Sequence, residues 1–223
     1  MRTHALLGAL ALAFTFASCA PIYVPNQVNV PMLRKPGDVN LNVGRSLSGF
    51  ELQAAASVAD NVGVMANASF AVEDSSSSDT YREGNLVEFG VGFLSGEGEN
   101  LRAEFYGGYG LGSSEAENTF GENAAEATTY VKSDYGRLFA QSNLGFVSSF
   151  LESALSLRFS YVSFKEPSES GIFLEPAATA RVGFEALKLQ AQLGFSIPVG
   201  DAPFDHEPVI FGLGINFRLD KLF

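Results

Sequence analysis

Apolar and polar residues alternate along most of the chain from Val39 onward. In residues 187–197, Leu, Ala, Phe and Ile occupy every second position, and Lys, Gln, Gly and Ser lie between them. An alternation of period two is typical of a β-strand with two different faces. The pattern predicts ten strands, at about 38–46, 49–58, 62–72, 85–95, 101–112, 134–148, 152–164, 170–184, 187–198 and 208–218.

The lengths of the connections alternate as well. Residues 60–61 and 96–100 form short connections, whereas other connections are longer and mostly polar, at 73–84, 113–133, 165–169 and 199–207. Outer-membrane barrels have short periplasmic turns and longer outside loops. These features predict an all-β fold, a closed antiparallel up-and-down transmembrane β-barrel of about ten strands. Eight strands remain possible if the short first hairpin at 47–48 lies outside the barrel.

Alternation does not establish which face is inside, since a soluble lipocalin-like barrel buries its apolar face. Here the polar face is rich in glycine, which suits a narrow and crowded lumen. That face also carries charges of both signs, which can neutralise one another as buried charges must. We therefore expect a polar lumen and a lipid-facing exterior. The predicted lumen charge network consists of Glu51, Glu88, Arg102, Glu104, Arg137, Arg158, Glu175, Arg181 and Arg218.

Residues 1–18 predict a signal peptide, with Arg2 before an apolar stretch and two small residues at its end. Cys19, the only cysteine, follows directly, and this ending resembles a bacterial lipobox. The alternative is an ordinary signal peptide that ends near a cysteine. Acylation of Cys19 with palmitate-like chains would anchor the protein stably, because two or three chains hold where one does not.

Residues 20–37 contain four prolines, so that residues 19–37 predict a lipid-anchored periplasmic tether, followed by the barrel at 38–223. An even number of strands places the two ends of a barrel on one side of the membrane. We therefore expect an outer-membrane protein with both termini in the periplasm.

Three stretches within residues 19–70 resemble the start of outer-membrane β-barrel lipoproteins of Bacteroidota, namely CAPIYVPN, VPMLRKPGDVNLNVG and VADNVGVMANASF. The resemblance implies an outer-membrane location and the barrel fold, and it implies no activity. The last strand resembles the signal that barrel-assembly machinery recognises, which makes that machinery an expected partner. The residues that carry this likeness are Gly212, Ile215, Phe217 and the terminal Phe223.

The formal net charge of −11 opposes a nucleic-acid partner, because phosphate binding needs clustered Lys and Arg. Most of the negative charge lies in three predicted outside loops, at −3 for 73–84, −4 for 113–134 and −3 for 199–207. Acidic loops favour solubility and repel surface polyanions. They are also able to bridge through divalent cations to lipopolysaccharide or to bind a cationic partner.

Little in the sequence indicates catalysis. His206 lies beside Asp205 in the last outside loop, but the omptin proteases have one residue between their Asp and His. With one Cys and one His outside the signal peptide, no metal site or cofactor is expected. The sequence predicts a structural or accessory outer-membrane barrel lipoprotein and not an enzyme. The barrel would act alone or as a subunit of an envelope assembly. The main alternative is a narrow pore, and a soluble binding barrel or a membrane enzyme is less favoured.

Overall fold

The computed structural model of the chain describes residues 20–75, 80–95, 100–120 and 127–221. These residues form a closed antiparallel β-barrel with ten long strands. The strands are β1 (Val39–Ser46), β2 (Gly49–Ala59), β3 (Val62–Ser75), β4 (Thr80–Ser95), β5 (Leu101–Phe120), β6 (Ala127–Val147), β7 (Leu151–Phe164), β8 (Ser170–Gly183), β9 (Leu187–Phe195), the two-residue β10 (Ile197–Pro198) and β11 (Val209–Arg218). A 3-10 helix, Leu219–Lys221, follows. Among the described residues, no helix is long and apolar enough to cross a membrane.

The barrel closes through its last strand. β11 pairs with β9 on one side and with β1 on the other, where Asn42 lies opposite Asn216. β10 continues β9 after Ser196 and pairs with β8. The first hairpin is part of the barrel, because β1 also pairs along its whole length with β2. The barrel therefore has ten strands, and the eight-stranded alternative is excluded.

The strand bounds agree with the predicted ones to within one residue except at two polar regions. Strands β3 to β6 run on into the predicted loops 73–84 and 113–133, so that only residues 76–79 and 121–126 lie between them. The loop predictions were wrong there because a strand needs a neighbouring hydrogen-bond ladder, and it does not need an apolar face. Polar residues occur on both faces of these extensions, and apolar residues such as Ala116 and Val131 are too few to give a regular alternation.

A cross-strand ion pair lies in one of these extensions. Glu115 of β5 is opposite Lys132 of β6, and Lys132 Nζ lies 2.7 Å from Glu115 Oε2. The hydrogen bond from Lys132 lowers the pKa of Glu115, and the same contact raises the pKa of Lys132. Opposite charges at directly facing positions help to hold two strands together.

The outward face of the barrel is a belt of exposed apolar side chains. Phe89 is 65% exposed and Leu155 is 68% exposed, although neither belongs to a loop. Above the belt, outward positions become polar, as at Glu83 and Asn85 of β4. A soluble barrel has the opposite arrangement, with its apolar face inside. The exterior is that of a barrel surrounded by lipid.

The two ends of the barrel differ. We call the end with connections 47–48, 76–79, 121–126, 165–169 and 199–208 the loop end. The opposite end, with connections 60–61, 96–100, 148–150 and 184–186, is the turn end. Strand β1 begins at the turn end, and the 3-10 helix after β11 lies there too.

Candidate functional site

The segment predicted as a tether lies inside the barrel. Residues 22–33, here called the plug segment, are buried except for the partly buried Val24. The plug segment enters at the loop end, where Tyr23 contacts the 199–208 connection, and reaches the turn end, where Leu33 packs with Leu94. The prediction of a free tether over these residues was therefore wrong. Its proline content does make it unsuitable as a regular strand, because proline lacks a backbone donor.

At the loop end the plug segment pairs with the last long connection. The Tyr23 amide donates to the Asp205 carbonyl at 3.2 Å, and the Glu207 amide donates to the Tyr23 carbonyl at 2.9 Å. The Tyr23 ring packs against Phe173, with centroids 5.1 Å apart. His206, considered for catalysis, packs on the same Phe173 ring at 5.0 Å. His206 thus lies where the plug segment is bonded to the 199–208 connection.

In the middle of the lumen, side chains of the wall bind the backbone of the plug segment. The Gln192 amide group accepts from the Val28 N–H at 2.7 Å and donates to the Val28 carbonyl at 2.9 Å. Gln141 donates to the Asn29 carbonyl at 2.6 Å, and Arg181 donates to the Val30 carbonyl at 2.6 Å. These bonds matter because a buried backbone group without a partner is costly. The wall side chains thus supply the hydrogen bonds that a neighbouring strand supplies elsewhere in the barrel.

Two buried ion pairs lie in the part of the lumen towards the loop end. Arg137 Nη2 is 2.5 Å from Glu88 Oε2, and Arg158 Nε is 2.5 Å from Glu175 Oε2. Asn26 of the plug segment lies between the pairs, since its side-chain oxygen accepts from both arginines at 2.5 Å and 3.1 Å. All four charged side chains are at most 1% exposed. The plug segment therefore joins the two pairs into one network.

Two other predicted network carboxylates serve the plug segment directly. Glu51 accepts from the Gln27 amide at 2.9 Å and also from hydroxyls of the first hairpin. Glu104 accepts from the Leu33 amide at 2.8 Å and from Asn143 at 3.1 Å. No ion pair to Glu51 or Glu104 is found among the described residues. Their partners are hydrogen-bond donors that the sequence pattern does not reveal.

The remaining predicted charges lie nearer the turn end of the barrel. Arg181 pairs with Glu152 at 3.1 Å, and Lys188 shares that carboxylate at 3.2 Å. Arg218 lies at the turn end, 3.4 Å from Asp38. Arg102 is also there, and its guanidinium donates to the Leu101 carbonyl at 2.9 Å. Arg102 and Arg218 therefore belong to the turn-end mouth, and the central network does not include them.

The last strand contributes to the lumen through a glycine. A Cβ placed on Gly212 would come within 2.9 Å of Gln27 Cγ, and even closer to the rest of that side chain. Gly212 thus leaves room for the plug segment, as Gly145 does for the sulfur of Met32. Ile215 and Phe217 face outward. Two predicted site residues, Cys19 and Phe223, and the predicted signal peptide lie outside the described residues.

Comparisons with known proteins give the fold a distant parallel. No protein-family model matches the chain, and no curated protein matches it. Among solved structures, it is similar to a major outer membrane protein from Thermus thermophilus. The two are 14% identical with a TM-score of 0.40, and the match covers 82% of this chain and 98% of the other. The function of the barrel must be inferred from its own lumen.

Sequence reasoning missed part of the lumen. The missed contacts come from Tyr23, Asn26, Gln27 and Asn29 of the plug segment and from Glu152 and Lys188 of the wall. One signal was available in residues 26–30, which read Asn-Gln-Val-Asn-Val and lack the Gly and Ser typical of flexible linkers. Among the described residues, no group of three His, Cys, Asp or Glu is placed to hold a metal ion.

Proposed function

We propose that this protein is a self-plugged outer-membrane barrel lipoprotein with a structural or accessory role in the cell envelope, and that it neither conducts solutes nor catalyses a reaction. One observation carries the proposal, namely that the plug segment fills the lumen and is bound there by wall side chains. A pore needs a continuous path of water. A lumen whose polar groups bind one another leaves little for a solute to bind.

The lumen chemistry supports a static role over a pore. Arg137 and Arg158 each have a carboxylate partner and further bonds to the plug segment. Moving the plug segment out would remove the Asn26 acceptors of both arginines, and a buried polar group that loses its hydrogen-bond partner costs about 1–3 kcal/mol. A gate that opens readily is built from weaker contacts. The narrow-pore alternative therefore ranks second.

The address follows from the sequence features and the apolar belt. The lipobox-like ending at Cys19 supports acylation, and the belt supports insertion in a membrane. We propose the outer membrane as that membrane, with barrel-assembly machinery as the partner during biogenesis. The acidic outside loops are suited to contact lipopolysaccharide through divalent cations. Co-purification from gently solubilised membranes tests for an envelope protein partner.

The conductance of the purified protein in a planar bilayer tests the closed lumen. We expect no steady current from the wild type at moderate voltage, because the plug segment and the wall ion pairs beside it block the path. An outer-membrane porin reconstituted in the same way serves as the positive control. Steady, ion-selective current from the wild type would establish the pore function and reject the proposal.

Labelling cells with a clickable fatty acid tests the lipoprotein assignment. We expect the label on the wild type and its loss in Cys19→Ser, because Cys19 is the only thiol in the chain. Barrel folding is checked separately by the shift in gel mobility on boiling. Equal labelling of both proteins would reject acylation at Cys19, and an unlabelled wild type would indicate an ordinary signal peptide.

A further inference from the structure

The direction of the plug segment decides on which side of the barrel the mature chain begins. Tyr23 is bound to the connection between β10 and β11 at the loop end, and Leu33 is bound to Glu104 near the turn end. At about 3.1–3.4 Å per residue for an extended chain, the ten steps between them cover about 30 Å. That length matches the roughly 25 Å apolar band of such barrels. The segment thus crosses the whole barrel.

At the turn end the chain reverses into β1. The Arg34 amide donates to an Asp38 carboxylate oxygen at 2.9 Å, and the Gly37 amide donates to the Ser57 carbonyl at 3.0 Å. Gly37 has φ of +90°, a conformation that glycine adopts readily. Residues 34–37 are exposed. The plug segment and β1 therefore form a hairpin-like path, down through the lumen and up through the wall.

We infer that the mature N-terminus emerges at the loop end, on the cell surface, so that the acyl chains of Cys19 enter the outer leaflet of the outer membrane. The inference rests on the proposed function for the membrane, the acylation and the orientation. Cys19 is bonded to Ala20, so their Cα atoms are about 3.8 Å apart. Ala20 lies at the loop end, next to Phe204. This arrangement is the opposite of the periplasmic N-terminus expected from the sequence.

A cavity at this exit has mainly apolar walls. It has a volume of about 280 Å³ and lies between the loop-end parts of β5, β6 and β7 and the 199–208 connection. Ala20, Ile22, Val131, Phe164 and Phe204 contribute to its lining. Because Ala20 is one of these residues, the occupant we assign is the beginning of an acyl chain on Cys19. Apolar walls at this point shield the first methylene groups from water.

Labelling of single cysteines on intact cells with a membrane-impermeant maleimide tests the exit side. Acylated Cys19 has no free thiol, so the reporters are Pro21→Cys at the exit, Asp201→Cys at the loop end and Ser149→Cys at the turn end. We expect Pro21→Cys and Asp201→Cys to react on intact cells, and Ser149→Cys to react only after the outer membrane is permeabilised. A Pro21→Cys that reacts only together with Ser149→Cys would overturn the inference.

The same three variants separate this inference from the proposed orientation. If Ser149→Cys reacted on intact cells and Asp201→Cys did not, the barrel would be inverted and the surface location would be wrong. If Pro21→Cys and Asp201→Cys still reacted under the same conditions, the plug segment would be shown to emerge at the loop end. If Asp201→Cys and Ser149→Cys behaved as expected and Pro21→Cys did not, the threading itself would be wrong and the proposed barrel would stand.

A disulfide between the plug segment and the wall tests the threading without regard to orientation. The Cβ that Gly212→Cys adds would lie 2.9 Å from the position of Gln27 Cγ, where Gln27→Cys places its sulfur. A Cβ and the partner sulfur are about 3 Å apart across a disulfide. We expect this pair to cross-link on oxidation and to change gel mobility when reduced. Gln27→Cys with Ser114→Cys, on the opposite strand β5, is the control that should not cross-link.

The folded, oxidised double variant decides whether the plug segment lies inside the lumen. A folded Gln27→Cys/Gly212→Cys barrel in which both thiols remain free would place the segment outside the lumen and overturn the inference. Folding is judged by the mobility shift on boiling, which a closed barrel shows whether or not the cross-link forms. The cysteine variants alter neither the Arg137–Glu88 pair nor the Arg158–Glu175 pair.

Discussion

Arg158 shows how much a single lumen charge depends on its surroundings. Its guanidinium bonds to Glu175, to the side-chain oxygen of Asn26 at 3.1 Å and to the Asn26 carbonyl at 3.0 Å. Three partners fix one side chain that is 1% exposed. Loss of Arg158 therefore removes a hydrogen-bond donor from Glu175 and from the plug segment together.

We predict that Arg158→Ala destabilises the barrel by about 3–5 kcal/mol, the usual cost of removing one partner of a buried ion pair. The temperature of the gel-mobility shift should fall clearly, and bilayer conductance should stay near zero because the plug segment remains. Lys165→Ala is the matched control, since its pair with Asp134 is more than half exposed on both sides. The two variants should differ strongly, and equal stability would refute the structural role of the buried pair.

Gly212 contributes by having no side chain. Its position in the last strand suggests a role in assembly, but the structure also places Gln27 against it. Any side chain there must displace Gln27 from a buried position among Glu51, Gln53 and Gln190. An assembly signal and a packing contact therefore occupy the same residue, and their effects need to be separated.

We predict that Gly212→Ala lowers stability by about 1–3 kcal/mol through overpacking, and that adding Gln27→Ala restores part of the loss. Gly84→Ala is the control, because a Cβ there meets nothing nearer than 3.8 Å. Thermal unfolding of the detergent-solubilised variants measures all three. A defect in Gly212→Ala that Gln27→Ala leaves unchanged would assign the glycine to assembly alone.

Residue chemistry in the lumen was only partly predictable. The sequence places Glu88, Arg137, Arg158 and Glu175 on the inward face by their position in the alternation, and the structure pairs them. Partners across the barrel depend on register and shear, which alternation does not define. Register matters on neighbouring strands too: Glu152 was missed as the partner of Arg181, which it faces directly in the β7–β8 pair, because alternation alone does not give that register.

At the scale of elements, the strands were the predictable part and the plug segment was not. A strand with one lipid-facing side has a period-two pattern that marks its bounds. The plug segment has wall on every side, so no periodicity distinguishes its faces. The prolines within and beside it, at 21, 25, 31 and 36, resemble those of a linker. Only the lumen, which forms from strands distant in sequence, shows that the segment is bound.

Gln192 is the clearest link between β9 and the plug segment. We predict that Gln192→Leu destabilises the barrel by about 1–3 kcal/mol for each unpaired Val28 backbone group, and that it speeds hydrogen exchange within the plug segment. Hydrogen exchange measured by mass spectrometry on plug peptides checks this. Unchanged exchange in Gln192→Leu would show that the plug segment is held by other contacts.

At the scale of the whole molecule, the barrel is two concentric layers joined by polar contacts. The outer layer presents an apolar belt to lipid, and its inward face carries Gln, Asn, Arg and Glu that have partners in the plug segment. A polar lumen is therefore consistent with the closed barrel that we propose. The wall is polar because it binds a backbone, and a water channel is not needed to explain it.

The contributions of the wall and of the plug segment can be separated by experiment. Deleting residues 22–33 outright risks a barrel that fails to fold, so the plug segment is better removed after folding. A protease site inserted between Arg34 and Lys35 lies in the exposed turn-end stretch, where cleavage leaves the strands intact. Cutting there and washing in mild denaturant should release a peptide that mass spectrometry identifies.

We predict that the emptied barrel conducts ions, because the lumen has lost the side chains and backbone that filled it. We expect no preference for anions, because Glu88 and Glu175 still neutralise Arg137 and Arg158, and Glu51 adds a further carboxylate. The same protease site placed in the 165–169 connection is the control, since cleavage there frees no lumen residue and should give no current. A lumen that stays closed after the peptide has left would mean that the wall side chains collapse inward and seal it by themselves. In that event the plug segment would serve to carry the N-terminus across the barrel, and blocking ions would not be its role.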